Sequence, residues 1–137
     1  SMVTVAPELM PPGFIAALAR AGIRVSAGHS EATSADMQRA MGEGLTGVTH
    51  LFNAMSQMQG RAPGLVGSAL AQDGLFCGII ADGLHVDPVC LRAAFRAIGP
   101  DRLMLVTDAM SSVGASSDRF MLMNREVQQV TIPSARL

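Results

Sequence analysis

The sequence predicts an α/β fold in which the strands of one parallel sheet alternate with helices, and three observations support this prediction. The length of 137 residues suits a single domain. The composition is 49% apolar and 15% charged, which provides enough apolar surface for a core and is not typical of disorder. Short apolar runs precede stretches of helical periodicity along most of the chain.

This alternation gives five units, each beginning with a strand. The strands are predicted at 3–6, 24–28, 47–51, 76–81 and 102–107. Helices are predicted at 11–22, 32–44, 65–72 and 88–99. The second helix has Thr33 or Ser34 as its expected N-cap and Gly42 or Gly44 as its expected end. A complete (β/α)8 barrel needs about 250 residues, so the chain forms either an open parallel sheet or part of a barrel.

The pattern changes after Asp108. Residues 109–118 are predicted to form a flexible polar loop, and 119–132 contain two β-like runs that meet around Asn124 and Arg125. These runs predict a hairpin, although the Asn-Gly or Asp-Gly signal of a two-residue turn is missing. We therefore predict a partial (β/α) barrel domain at 1–120 and a β-like tail at 121–137.

The composition also indicates which binding partners and which cellular compartment to expect. The net charge is -1 and the sequence has no basic run, so nucleic acid is not an expected partner. No membrane or secretory segment is predicted, and Ser1 with Met2 is expected to mark an artificial boundary. Cys77 and Cys90 form no disulfide scaffold or thiolate zinc pattern and are expected to be reduced, buried thiols of a cytoplasmic protein.

Titratable side chains follow each predicted strand at the point where its apolar run ends. They are Glu8, His29, His50, the Asp82 and His85 pair, and Asp108. The carboxyl ends of parallel strands lie on one face of a βα array, so residues that recur with the βα period converge there. The sequence therefore predicts a site at this face.

His29 and His50 suit half of a zinc site, which would require a third ligand. The alternative is that each is a hydrogen-bonded structural histidine. Asp108 follows the most apolar strand and is expected to be desolvated, which would raise the pKa of its carboxyl group unless a cation lies nearby. It then suits general acid and base chemistry, and the alternative is an N-cap. Arg61, in the Gly-rich stretch 59–67, suits a phosphate or carboxylate anchor or is a solvated loop residue.

Five motifs occur in a fixed order: SAGHS at 26–30, THLFNAM at 49–55, GRAPGL at 60–65, IIADGLHVD at 79–87 and LVTDAM at 105–110. Together they resemble the N-acetylglucosamine-6-phosphate deacetylases of the amidohydrolase superfamily. The resemblance covers nearly all of residues 3–120, including VTVAPE at 3–8. It implies an incomplete amidohydrolase-type (β/α)8 (TIM) barrel of which this chain holds about five units, with 1–120 in the catalytic domain.

The resemblance also implies roles for individual residues. His29 and His50 would be metal ligands for one divalent ion, with zinc expected. Asp108 would be the catalytic acid and base, and His85 would lie beside the acetyl carbonyl. The substrate-binding residues would be Asn53, Ala54, Arg61, Asp82, Gly83, Leu84 and His85. The family's metal-binding Glu belongs to an upstream segment that this chain lacks, and Glu8 is not assigned that role because VAPE resembles a later strand. A homodimer is implied too.

The implied function is metal-dependent hydrolysis of the acetamide of N-acetylglucosamine 6-phosphate to glucosamine 6-phosphate and acetate, in amino-sugar catabolism. Residues 1–137 alone would bind metal weakly and show little or no turnover, because a catalytic zinc usually keeps three protein ligands. One alternative is a non-catalytic βα module that binds a sugar phosphate through Arg61 and the Asn53 loop. Another is a purely structural fragment. A distance of about 4 Å or less between the two imidazoles would favour the metal site.

Overall fold

The computed structural model describes residues 1–109, 119–122 and 125–128. Its largest feature is a parallel sheet of five strands in the order β1-β2-β3-β4-β5. The strands are β1 at Met2–Val5, β2 at Arg24–Ala27, β3 at Leu45–Val48, β4 at Phe76–Ile79 and β5 at Leu103–Leu105. The predicted parallel βα array is therefore confirmed.

Four helices connect successive strands. They are α1 at Phe14–Arg20, α2 at Ser34–Gly42, α3 at Gly64–Ala71 and α4 at Pro88–Ile98. Thr33 is the N-cap of α2 and forms a capping box with Asp36, since each side chain accepts the backbone N–H of the other. Helix α1 begins three residues later than predicted, because Pro11 and Pro12 lead into Gly13, which has a φ of 83°.

The core lies between the central strands and the helices. Strands β2, β3 and β4 contribute buried residues, including Val25, Val48 and Ile79. The helices contribute Ile15, Met37, Leu65 and Val66, among others. The outer strands β1 and β5 are mostly exposed. Burial therefore follows position in the sheet, with the edges open.

The two cysteines differ in their environments. Both are free, and Cys77 is buried within β4, whereas Cys90 on α4 is only partly buried. The prediction of two buried thiols is therefore correct for Cys77 alone. Burial raises the pKa of the Cys77 thiol to about 11.

The chain divides into two compact units, Ser1–Thr107 and Asp108–Leu137. In the second unit, β6 at Arg119–Leu122 pairs antiparallel with β7 at Arg125–Gln128, as the predicted hairpin requires. The predicted boundary between 120 and 121 falls within β6, and the predicted loop at 109–118 lies outside the described residues except for Ala109. Over the ranges that are described, no helix is long and apolar enough to cross a membrane.

Candidate metal and substrate site

His29 and His50 meet beyond the carboxyl ends of β2 and β3. Their Nε2 atoms are 2.9 Å apart, and the ring planes are nearly perpendicular. Two nitrogens bound to one tetrahedral zinc at about 2.05 Å would be about 3.3 Å apart, somewhat more than the observed 2.9 Å, which is also the length of a hydrogen bond between the two rings. The predicted spacing of about 4 Å or less is met.

An irregularity in the sheet sets this alignment. Val25 pairs with Leu45, but Ser26 pairs with Gly47 and Ala27 with Val48, so Thr46 is an extra residue on β3. After this bulge the two strands are offset by 21 residues, which is also the separation of His29 and His50. Without the bulge, His29 would be in register with Thr49 instead.

The tautomer of His50 suits metal binding. Its side chain is buried, and Nδ1 lies 3.1 Å from the carbonyl oxygen of Asn53. A carbonyl oxygen can only accept, so Nδ1 carries the proton and Nε2 presents a lone pair toward His29. A cation at the paired Nε2 atoms would be bound by both rings. The donor set therefore fits a divalent metal that accepts imidazole nitrogen.

The two histidines and Asp108 have left-handed backbone conformations. His29, His50 and Asp108 have φ values of 48°, 36° and 49° and follow β2, β3 and β5. Such a conformation costs a non-glycine residue roughly 1–2 kcal/mol and persists where surrounding contacts impose it. Residues of this kind cluster at functional sites, and the shared site of these three residues stays a prediction.

The third metal ligand is not found among the described residues, which include no group of three His, Cys, Asp or Glu side chains suited to a metal. Both carboxylate oxygens of Glu8 are already engaged. Ser30 Oγ donates to Oε2 at 2.6 Å, and the Glu31 N–H donates to Oε1 at 2.8 Å. Each oxygen of the Glu8 carboxylate therefore accepts one hydrogen bond from the loop that follows His29.

Asn53 and Ala54 lie in the loop that carries His50. The Asn53 N–H donates to the His50 carbonyl oxygen at 2.9 Å, which closes a tight turn, and Ala54 has a φ of 47°. The Ala54 carbonyl oxygen accepts the N–H of Ser30 at 3.1 Å. The structure therefore brings the predicted substrate residues Asn53 and Ala54 next to the histidine loops.

The segment Asp82 to His85 forms a separate hydrogen-bonded turn. Asp82 Oδ1 accepts the N–H groups of Leu84 and His85, each at 2.9 Å, and Oδ2 lies 2.6 Å from His85 Nδ1. The N–H groups of His85 and Leu84, followed by the His85 imidazole, lower the pKa of Asp82 to about 2. Gly83 has a φ of 76°, and Leu84 and His85 are exposed. Asp82 therefore fixes His85 Nδ1 as the donor and directs Nε2 away from the carboxylate.

Arg61 lines a different depression in the surface. This cleft has a volume of about 440 Å³, and its lining also includes Gln59, Gly64, Thr33 and Ser34. Neither histidine is among the described residues that line it. Among the described residues, Arg61 and the histidine pair therefore do not line the same cleft.

Asp108 does not have the expected burial. It lies three residues beyond β5 and is exposed. The prediction treated β5 as a buried strand because of its apolar sequence, but β5 is the outermost strand, and Met104 and Leu105 are themselves exposed. The desolvation argument for Asp108 is therefore wrong, and its catalytic role stays a prediction.

Known proteins resemble this chain over most of its length. No protein-family model matches it. N-acetylgalactosamine-6-phosphate deacetylase of Shewanella sp. (strain ANA-3) is 44% identical over 92% of the chain, and N-acetylglucosamine-6-phosphate deacetylase of Rattus norvegicus is 46% identical over 93%. A Mycobacterium smegmatis N-acetyl-D-glucosamine-6-phosphate deacetylase, solved in complex with N-acetyl-D-glucosamine-6-phosphate, has a TM-score of 0.88 and 37% identity over 94% of the chain.

The chain resembles part of an N-acetylglucosamine-6-phosphate deacetylase. It spans about a third of the length of these relatives, namely 32% of each of the two curated proteins and 34% of the solved chain. The predicted resemblance is confirmed, and so is the assignment of the five units to part of a deacetylase barrel. The structure also shows which hydrogen bonds connect the loops at the strand ends, and the sequence motifs do not show these bonds.

Sequence reasoning missed the hydroxyl groups that join these loops. Ser30 bonds to Glu8, while Thr49 Oγ1 lies 2.9 Å from both Thr4 Oγ1 and Ser26 Oγ. A usable signal was present in the sequence, because Ser30 directly follows His29 and Thr49 directly precedes His50. Such hydroxyl residues gain meaning only when strand register is known, since their partners lie more than 20 residues away.

Proposed function

We propose that this chain forms part of the active site of a metal-dependent deacetylase that hydrolyses the acetamide of N-acetylglucosamine 6-phosphate to glucosamine 6-phosphate and acetate. The observation that carries the proposal is the His29 and His50 pair, whose Nε2 atoms are 2.9 Å apart at neighbouring strand ends. The similarity to named deacetylases over more than nine-tenths of the chain supports the same activity. The alternative of a non-catalytic sugar-phosphate module is not favoured, because it gives the paired histidines no role.

His29 and His50 would hold the metal, together with a Glu that is not part of this chain. Zinc suits the imidazole donors. When bound, such an ion makes water more acidic and polarises the amide carbonyl. The Asn53 carbonyl would keep the proton on His50 Nδ1, so that Nε2 is the nitrogen that faces the metal.

Asp108 would move the proton. As a carboxylate it would accept a proton from the attacking water and then donate it to the departing amine nitrogen. His85 would bind the acetyl group through Nε2, because Asp82 holds Nδ1. Asn53 and Ala54, together with Gly83 and Leu84, would line the sugar.

Arg61 would bind the phosphate of the substrate, far from the scissile bond, and use that remote binding energy to orient the amide. Its cleft does not include the histidines among the described lining residues, which supports a homodimer in which Arg61 serves the partner's site. We also propose a cytoplasmic location, since Cys77 and Cys90 are free thiols and reduced cysteines are usual in that compartment.

The proposal is tested by replacing the matching segment of the Shewanella deacetylase with this chain and measuring amine release with added zinc. Both 6-phosphorylated N-acetyl epimers are assayed, because relatives carry both names. We expect turnover that falls by more than about 100-fold in Asp108→Asn, the scale of a lost general acid and base. Asp101→Asn, an exposed Asp in the turn before β5, is the matched control and should retain activity. Equal activity in the two variants would contradict the role of Asp108.

The isolated chain provides a second test. We expect weak zinc binding by calorimetry that is lost in His50→Ala, with no turnover above the Asp108→Asn background. One tightly held zinc per isolated chain would contradict the proposal that a third protein ligand comes from outside it.

A further inference from the structure

The carboxylate of Glu8 lies on a short 3-10 turn at Pro7–Leu9, directly after β1. It is half-buried and accepts two hydrogen bonds from the loop that follows His29. These come from Ser30 Oγ at 2.6 Å and from the Glu31 N–H at 2.8 Å. Hydrogen bonds to an ionised acceptor are shorter and stronger than neutral ones. Glu8 therefore joins the end of β1 firmly to the end of β2.

Ser30 extends this connection to the His50 loop. Only 3% of its surface is exposed, and its backbone forms two bonds with that loop. The Ser30 N–H donates to the Ala54 carbonyl oxygen at 3.1 Å, and the Ser30 carbonyl oxygen accepts the Ser56 N–H at 3.0 Å. Ser30 Oγ also accepts the N–H of Ala32 at 3.1 Å while donating to Glu8. Ser30 thus bonds to three segments at once.

The hydrogen bonds of Ser30 lie next to the residues of the site that have a left-handed φ. His29 immediately precedes Ser30, and Ala54, its hydrogen-bond partner, also has a left-handed φ. Asn53, which holds the Nδ1 proton of His50, immediately precedes Ala54. Left-handed non-glycine residues persist only when their surroundings determine them, and these bonds impose the required geometry on both loops.

We propose that Glu8 is a positioning residue which, through Ser30, holds the His29 and His50 imidazoles in the geometry that binds metal. This inference rests on the proposed metal site. The position of Glu8 in the sequence alone does not indicate this role. In this proposal the Glu8 carboxylate orients the loop that carries a metal ligand and does not itself bind the ion. Groups that bond directly to a metal ligand typically change metal affinity by about 10- to 100-fold when they are removed, and Glu8 acts through Ser30, so we expect an effect near the lower end of this range.

The test compares Glu8→Gln and Ser30→Ala with Glu31→Gln. Glu31→Gln removes one negative charge from the loop that carries Ser30, but the hydrogen bond between Glu31 and Glu8 uses the Glu31 backbone N–H, which the substitution keeps. The chain has three histidines, so their ring signals can be assigned by nitrogen NMR of the metal-free protein. A cobalt(II) titration followed by visible absorption then measures metal affinity, and thermal unfolding measures stability.

In Glu8→Gln and Ser30→Ala we expect changed ring signals for His29 and His50, unchanged signals for His85, and cobalt binding about tenfold weaker. Glu31→Gln should match the parent chain in all three respects. The proposal would be overturned if Glu8→Gln and Ser30→Ala had the same ring signals and cobalt affinity as Glu31→Gln. A lower unfolding temperature in these two variants would then leave Glu8 a purely structural role. Glu8→Gln keeps the size of the side chain, so it decides the matter if Ser30→Ala does not fold.

Failure of the proposed metal site gives a different result. If the parent chain does not bind cobalt, the expected weak metal binding by His29 and His50 is contradicted, while the metal-free ring signals still report whether Glu8 positions the histidines. Changed His29 and His50 signals in Glu8→Gln would then support positioning, and unchanged signals would overturn it.

Discussion

Asp82 has the largest lowering of a carboxyl pKa in the described part of the chain, and the effect can be tested by titration. Two backbone N–H groups and the His85 imidazole favour the ionised form and lower the pKa to about 2 from an ordinary value of 3.8. Because the folded pKa is depressed, the stabilising effect is complete above the ordinary value and declines as the pH falls towards about 2.

We therefore expect the Asp82 carboxyl carbon to titrate in NMR with a midpoint near 2. The hydrogen-bonded turn at 82–85 should persist at pH 4 and weaken below it. Asp82→Asn should remove this titration and release His85 Nδ1 from its charged partner, while the signals of His29 and His50 stay unchanged. A midpoint close to 3.8 would contradict the hydrogen-bonded geometry of Asp82.

At the residue scale, the sequence predicted correctly which side chains meet when this depends only on their position directly after a strand. His29 and His50 were expected to converge, and their imidazoles do. Asp108 shows the limit of this reasoning, because its exposure depends on what covers β5 and not on the apolar sequence of that strand. The hydrogen bond between Glu8 and Ser30 could not be predicted from the sequence either, since the two residues are 22 positions apart.

At the element scale, the start of α3 depends on a glycine. Gly64 has a φ of 59°, and a Cβ there would lie 2.8 Å from the carbonyl oxygens of Ser56 and Gln57. Gly64, within the motif at 60–65, is therefore needed for the backbone to pass close to the His50 loop, in addition to any role of Arg61. Gly60, four residues earlier, has open space around the position of its Cβ.

We expect Gly64→Ala to lower the free energy of unfolding by about 2 kcal/mol or more, because left-handed strain adds to a backbone clash. Urea unfolding followed by circular dichroism measures this change. Gly60→Ala is the matched control and should change the free energy by less than about 0.5 kcal/mol. Similar losses in the two variants would show that the close approach at Gly64 is not what limits substitution.

The boundaries of the elements were predicted less well than their order. Strand β3 was expected to begin at 47 but begins at Leu45 and ends at Val48, so His50 lies in a loop and not on a strand. The bulge at Thr46 explains the difference, since alternation of apolar residues is interrupted where an extra residue enters the strand. Helix α2 was predicted within two residues at each end, and Thr33 as its N-cap and Gly42 as its last residue are among the expected residues, because caps and terminal glycines are local signals.

At the scale of the whole molecule, the two cysteines report on different parts of the structure. Cys77 lies in β4 between two neighbouring strands, and its burial raises the pKa of the thiol to about 11. Cys90 lies on the partly exposed helix α4. Reaction of Cys77 therefore requires the sheet to open, whereas reaction of Cys90 does not.

We expect a thiol reagent at pH 8 to label Cys77, in a Cys90→Ser variant, at least about 100-fold more slowly than it labels Cys90 in a Cys77→Ser variant. Urea near the unfolding midpoint should remove most of the difference. Comparable rates in the native state would mean that β4 opens readily and that the five-stranded sheet is not a stable core.

The exposed outer strands of the sheet are consistent with a chain that spans about a third of the length of its relatives. Strands β1 and β5 are outermost and expose apolar side chains, of which Met2 and Leu105 are 69% and 78% exposed. A strand edge carries unpaired backbone groups, and a closed barrel pairs both edges. A chain that matches about a third of its barrel-containing relatives is expected to leave such edges open.

The sequence by itself determined the order of strands and helices, the deacetylase motifs and the placement of His29 and His50 after neighbouring strands. These features follow from local periodicity and from the rule that parallel strands end at one face. Tertiary structure decided the 2.9 Å approach of the imidazoles, the Glu8 and Ser30 bond and the exposure of Asp108. Each of these depends on strand register and sheet position, because they arise from groups that are distant in sequence and meet only in the folded chain.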